Sequence, residues 1–144
     1  MNNEIVVGYD GTRCGHAALD LACDLAAELG AKIIVAYGFQ PYQGAGEIGA
    51  QRELMRDAGR QIVDEGVAQA RARGIEAEDA LLPERPAAAL VSITEQHGAR
   101  MIIVGTYGES PLKGAVLGST PHKLVQIATV PVVVVPASEA GEGS

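Results

Sequence analysis

The chain is expected to fold as an α/β protein, a three-layer α/β/α domain whose five parallel strands are doubly wound by helices. Two observations carry this. Short apolar runs alternate with helical patterns five times along the 144 residues. Those runs are continuously apolar, as strands buried on both faces are, and do not alternate with polar residues. A third observation concerns turns: Asp10, Tyr37 and Gly105 close three of the runs. In such sheets ligands sit beyond the carboxyl ends of the strands, at the switch point in strand order.

Each element has its own signal. Ile5 to Tyr9 is the first apolar run, stopped by Asp10-Gly11-Thr12, a turn sequence. Thr12 can cap the next helix, where Ala18, Leu21, Ala22, Leu25 and Leu29 recur at helical spacing and Asp20, Asp24 and Glu28 take another face. Gly30 ends it as a C-terminal glycine does. Lys32 to Tyr37 is the second buried strand. Residues 40–49 hold one Pro and three Gly and read as a mobile segment. A helical pattern runs from about Glu47 to Arg73, weakened by Gly59 and Gly66. Gly74 closes it.

Ile75 to Leu82 is the most polar strand, with Glu76, Glu78 and Asp79. Pro86 opens a helix that carries Leu90, Ile93 and His97 on one side, and Gly98 ends it. Met101 to Val104 is the next strand. A short helix, Pro121 to Ala128, with Leu124, Val125 and Ala128 facing inward, precedes a last strand from Val130 to Val135. One domain over residues 1–137 is expected, followed by a small, acidic and disordered tail over 138–144.

Met101–Thr120 organises the rest. It leaves a buried strand at Gly105, passes Gly108, Gly114 and Gly118, and ends in Ser119-Thr120-Pro121, a helix-start signal. Glycine lets the backbone approach a ligand, and a helix N-terminus presents unpaired N–H groups and the positive end of its dipole. A phosphate cradle and a long surface loop rich in turn residues both fit this pattern. Single residues carry two readings as well. Asp10 suits a ligand hydroxyl or a joint cap with Thr12, Ser119 a phosphate or a cap, and Tyr37 a base edge or a plain strand end.

Composition narrows the classes. A formal charge of −7 argues against a general nucleic-acid binder, which needs a basic face. No apolar run approaches the ~20 residues of a membrane helix, and the opening MNNE lacks a signal-peptide pattern. Cys14 and Cys23 lie on one helix at a spacing that points them to opposite faces, too far apart to bridge. A reduced, cytoplasmic protein is expected. The Walker loop, the dinucleotide fingerprint and the nucleophile elbow are all missing from the sequence. His16, His97 and His122 have no metal-ligand spacing with the cysteines.

What remains is Gly105-x-x-Gly108, nine residues, then Gly118-Ser119, with Val7-Gly8-Tyr9-Asp10-Gly11-Thr12 at the first strand end. With its five βα units the chain resembles the universal stress protein family, in its nucleotide-binding branch, from Ile5 to Val135. The resemblance implies a Rossmann-like sheet in the order 3-2-1-4-5, a cytoplasmic homodimer, and ATP or another adenine nucleotide, with Mg2+ as an optional companion. It places Gly8 and Asp10 by the ribose or adenine, and the Tyr37 backbone on the adenine edge. Gly105, Gly108, Lys113, Gly118, Ser119 and Thr120 then surround the phosphates.

Two positions depart from the family pattern. Glu109 follows the second glycine where a basic residue is usual, and a carboxylate there repels a triphosphate. Glu84-Arg85-Pro86 replaces Gly-x-Pro after the third strand, adding bulk near the site. The leading expectation is a nucleotide-binding stress or regulatory module. A slow ATP hydrolase and a stress protein working through protein contacts alone are the alternatives. The valine run Val132, Val133, Val134 and Val135 would lie at a sheet edge in the implied order. Carrying no charge, it is the expected homodimer contact.

Overall fold

The computed structural model describes residues 2–40, 48–106 and 117–137, without the side chains of 48, 49 and 51. Its elements are β1 (Glu4–Gly8), α1 (Arg13–Leu29), β2 (Lys32–Gly38), α2 (Ile48–Ala72), β3 (Ala77–Leu82), α3 (Pro86–His97), β4 (Met101–Gly105), α4 (Ser119–Ile127) and β5 (Val132–Val135). The strands form one parallel sheet in the order β3-β2-β1-β4-β5. The expected three-layer, doubly wound architecture is what is found.

Period-two alternation along the buried strands splits the core in two. Ile5, Val7, Ile33, Val35 and Ile103 face α1 and α2, packing on Ala18, Leu19, Ala22, Val63, Val67 and Ala70. Val6, Ile34, Ala36, Ile102 and Val104 face α3 and α4, meeting Leu90, Ile93 and Leu124. Alanine lines much of the helix side, so the helices lie close to the sheet without aromatic filling.

Among the differences from the sequence reading, two element starts and one side-chain position have a clear physical reason. β3 begins at Ala77 because Gly74, at φ +79°, turns the chain and the Ile75 N–H bonds back to the Ala70 carbonyl of α2. Ile75 is therefore spent on closing a helix. α4 begins at Ser119, capped by Gly118, which puts Pro121 two residues further in. Val125 is 60% exposed, because α4 rests on its neighbours through Pro121 and Leu124 and the next residue lies about 100° round the helix.

The charged edge strand β3 uses its carboxylates internally. Glu78 takes Lys32 Nζ at 3.1 Å, and Asp79 takes Arg60 of α2. Both cysteines are buried and free. No helix among the described residues is long and apolar enough to cross a membrane. The tail, residues 138–144, lies outside the described residues.

The first turn of α1 and the end of β4 meet backbone to backbone. A Cβ built on Gly105 would stand 2.6 Å from the Cys14 carbonyl oxygen. Main chain cannot swing aside as a flexible side chain does, so Gly105→Ala should cost about 1–3 kcal/mol. Urea unfolding followed by circular dichroism reads that loss, and an unchanged midpoint would show that α1 can shift freely.

Candidate functional site

The central strand stops early. Gly8 pairs with Ala36, whereas β2 runs on to Gly38 and β4 to Gly105. This leaves a notch at the carboxyl end of the sheet, between the strands on either side of β1. A cavity of about 260 Å³ occupies it.

Its floor is built of residues too small to fill it. Gly8 faces Val104 and Leu90, whose methyl carbons would stand 2.9 and 3.1 Å from a Cβ there. On the far side Gly38 lies under the β3–α3 connection, where a Cβ would meet Ala89 at 2.6 Å and the Glu84 carbonyl at 2.8 Å. Gly8, Gly38, Pro86, Leu90 and Val104 together line an apolar slot.

The ladder parity shows which main-chain groups face this slot. The Ile33 and Phe39 N–H groups bond to β3, so odd residues of β2 turn that way. The Lys32 N–H and the Ala36 carbonyl bond toward β1, so even residues turn there. The last bond on that side is Tyr9 N–H to Ala36 O, at 3.1 Å. The next even residue is Gly38, whose N–H and C=O therefore point at the notch beyond the end of β1. This revises the role expected of Tyr37. Its backbone lines the cavity but runs in the ladder with Leu81, and its ring leans over Gly59 of α2, 3.0 Å from a Cβ built there. Gly38 was missed in the sequence; the signal was the strand parity, legible only once the register is known.

Asp10 enters from the turn after β1. Its Oδ1 accepts the Thr12 N–H at 3.0 Å and the Thr12 hydroxyl at 2.5 Å, while Thr12 Oγ1 accepts the Gly15 N–H at 3.2 Å and caps α1. A Cβ on Gly15 would lie 2.5 Å from that Oδ1, which explains a glycine in the first turns of a helix. The two readings of Asp10 are thus compatible: one oxygen organises the cap, and the residue still lines the cavity.

The opposite wall is the start of α4. Gly118 does not present its N–H to a ligand, because that group donates to the Thr106 carbonyl at 2.7 Å. The first helical bond runs from His122 N–H to Gly118 O, and Pro121 has no N–H. Among the described residues, the donors of this helix end without a hydrogen-bond partner are therefore the Ser119 and Thr120 N–H groups, and both residues line the cavity. Ser119 is the first helical residue, so it is not the cap that its hydroxyl suggested.

Other expected neighbours are placed elsewhere. The Glu84 carboxylate accepts the Ser92 hydroxyl at 3.0 Å on α3. Arg85, at the cap position of α3, is not among the lining residues. Gly108, Glu109 and Lys113 lie outside the described residues. Among the described residues no group of three or more metal-ligating side chains comes together. The site thus offers an apolar slot, a strand-end amide, a carboxylate and a helix N-terminus in one notch, the chemistry of binding a flat base attached to an anion.

The universal stress protein family model matches residues 1–136. Universal stress protein YxiE of Bacillus subtilis is 29% identical over 150 residues, covering 94% of this chain and 99% of that protein. The solved structure of hypothetical protein MJ0577 superposes with a TM-score of 0.83 at 18% identity, covering 96% and 99% of the two chains. A universal stress protein solved in complex with cAMP superposes with a TM-score of 0.73 at 28% identity, covering 95% and 98%.

The cap tests the local geometry. Thr12→Ala removes the acceptor for Gly15 N–H and a donor to Asp10, and should lower stability by about 1 kcal/mol. Thermal unfolding checks this; no change in midpoint would mean that Asp10 caps α1 alone.

Proposed function

From its membership of the universal stress protein family, to which this chain belongs, we propose that the protein binds an adenine nucleotide in the notch beyond β1. The observation that carries the reading is the convergence of Gly38 main-chain groups and the Ser119 and Thr120 N–H donors on one cavity. The base enters the slot between Gly8, Gly38 and Leu90 and meets the Gly38 amide and carbonyl. Asp10 accepts a ribose hydroxyl. The phosphate nearest the sugar lies against the N-terminus of α4, where a charge is favoured by the free N–H groups and the dipole. The cAMP complex of a 28% identical relative supports an adenine nucleotide as the ligand class.

The nucleotide proposed is ATP, with Mg2+ as an optional companion. Gly105, Gly108, Lys113 and Gly118 frame its outer phosphates, and Glu109 weakens the triphosphate by like charge. The protein acts as a cytoplasmic regulatory module that changes partners or shape with its ligand. Mass spectrometry of what the purified protein releases on denaturation tests the ligand class; release of no nucleotide, with no binding of added ATP, would sink it.

Ser119→Pro is a sharp variant. Proline is tolerated at the first helical position and deletes one donor. Losing a bond to a charged group should weaken ATP by about 10- to 100-fold, read by calorimetry, with the unfolding midpoint nearly unchanged. Equal affinity would move the phosphates away from α4.

The same proposal includes a homodimer through β5. Ile102 and Thr106 donate to Pro131 and Val135, so odd residues of β5 face β4. Val132 and Val134 therefore turn their N–H and C=O groups outward at the edge. Val134→Pro removes one outward donor and leaves the ladder with β4 complete. Light scattering should show a dimer in the wild type and a monomer in this variant. A wild-type monomer at micromolar concentration would refute the edge contact.

A further inference from the structure

Directly behind the notch, on the α1 and α2 side of the sheet, the Tyr9 hydroxyl gathers three polar side chains. The Tyr9 ring is buried, 1% exposed, and packs on Gly66, 2.9 Å from a Cβ built there. Its hydroxyl donates to Glu65 Oε1 of α2. That hydroxyl has a single proton, so its other bonds must be accepted. They come from Gln69 Nε2 at 3.3 Å and from His16 Nε2 of α1 at 3.3 Å. With Nδ1 of the ring 3.5 Å from the same hydroxyl, the neutral donor can be either nitrogen, and Nε2 is the nearer. The same nitrogen lies 3.8 Å from Glu65 Oε1, and Gln69 also donates to that oxygen at 3.3 Å.

Tyr9 is the residue before Asp10, and it lines the cavity. The end of β1 is thus fixed from behind by side chains of two helices. Tyr9 cannot supply the variable proton, since burial, and then the bond to Glu65, push its phenol far above the ordinary range. The groups able to change charge are half-exposed, with side-chain exposures of 41% for His16 and 55% for Glu65. We propose that His16 and Glu65 form, through the Tyr9 hydroxyl, a proton-linked control on the nucleotide site, in which a proton on His16 tightens binding. This rests on the notch being the nucleotide site.

The sign follows from the surrounding charges. Facing His16 and Tyr9 are Glu65 on α2 and Asp10 at the end of β1. On α1 itself Arg13 and Asp20 stand one turn to either side of His16, and Asp20 is turned to Arg73. With His16 neutral, Glu65 and Asp10 are two negative charges behind an anion site. A proton on His16 pairs Glu65, strengthens the donor to Tyr9 and makes the field at the notch less negative. All three effects favour an anionic ligand once His16 carries a proton.

The test is calorimetry with cAMP as probe, whose single phosphodiester charge is constant over the range used, between about pH 8 and about pH 6. The full-length protein should bind about two- to fivefold tighter at the lower pH, the scale of one half-exposed ion pair. His16→Gln, an exposed substitution outside the cavity, should keep the affinity seen at the higher pH and lose the gain. Tyr9→Phe keeps the ring and deletes the hydroxyl; it should bind more weakly at both values and keep only part of the gain. Melting temperatures at each pH confirm that the variants are folded. A pH-independent wild type, or a gain that survives intact in His16→Gln or in folded Tyr9→Phe, overturns the proposal and leaves the nucleotide reading standing. A wild type that binds no cAMP and no ATP at either pH defeats both.

Discussion

Everything at the functional end of this molecule depends on one strand being too short. β1 is the centre of the sheet, and Gly8 is its last residue, opposite Ala36. The chain then turns away at Asp10 and Gly11 to start α1, while β2 continues to Gly38 and β4 to Gly105. A parallel ladder satisfies main-chain groups only where a neighbour is present. Ending β1 early therefore strips one side of β2 of its partner inside an otherwise closed sheet. Buried, unpaired amides are costly, and the structure resolves the cost by opening a cavity there. The same connections that wind α1 to one face and α3 to the other leave this crevice accessible.

Small residues keep the crevice open, and they do so for separate reasons. Gly8 and Gly38 leave room on the floor, Gly15 lets the Asp10 carboxylate lie over the first turn of α1, and Gly105 lets that turn touch β4. Gly11, at φ +79°, belongs to a different class, since the conformation itself requires glycine. Only for Gly11 is backbone freedom the argument; at the other four the argument is volume. The larger consequence is precision. The two sides of the notch are held by β2, which packs into both cores, and by α4, which is anchored in the core on the α3 side through Leu124.

The fold was legible because its signals are local and repeated. Continuous apolar runs gave the strands, and glycines after helices gave the boundaries at Gly30, Gly74 and Gly98, all at positive φ in the structure. Sheet order came from the family resemblance, since no local signal specifies which strands are neighbours. Errors fell where one residue had two possible employers. Ile75 reads as strand but closes α2, and Ser119 reads as a cap but is the first helical residue. At the site, Asp10, Ser119 and Thr120 were visible as turn and cap chemistry, and Gly8 only through the family resemblance. Gly38 was not, because its role depends on the parity of a ladder and on where β1 stops. The Tyr9 cluster was equally hidden. Glu65 and His16 are ordinary exposed helix residues until the packing of α2 against α1 brings them to one hydroxyl.

A chain of net charge −7 with a carboxylate in its cavity is an unlikely shape for an anion receptor if recognition is by side-chain charge. In the proposed nucleotide site, recognition by main chain removes the conflict. The amides at the start of α4 and the end of β2 present fixed partial charges at short range, and short-range donors act on a ligand that the distant acidic surface scarcely reaches through screening water. Much of that surface acidity is also occupied. Asp20 and Asp24 hold Arg73, Glu78 holds Lys32, and Asp79 holds Arg60. The charges nearest the notch are Asp10 in its wall and, behind it, Glu65 and His16, which is where the proposed control acts.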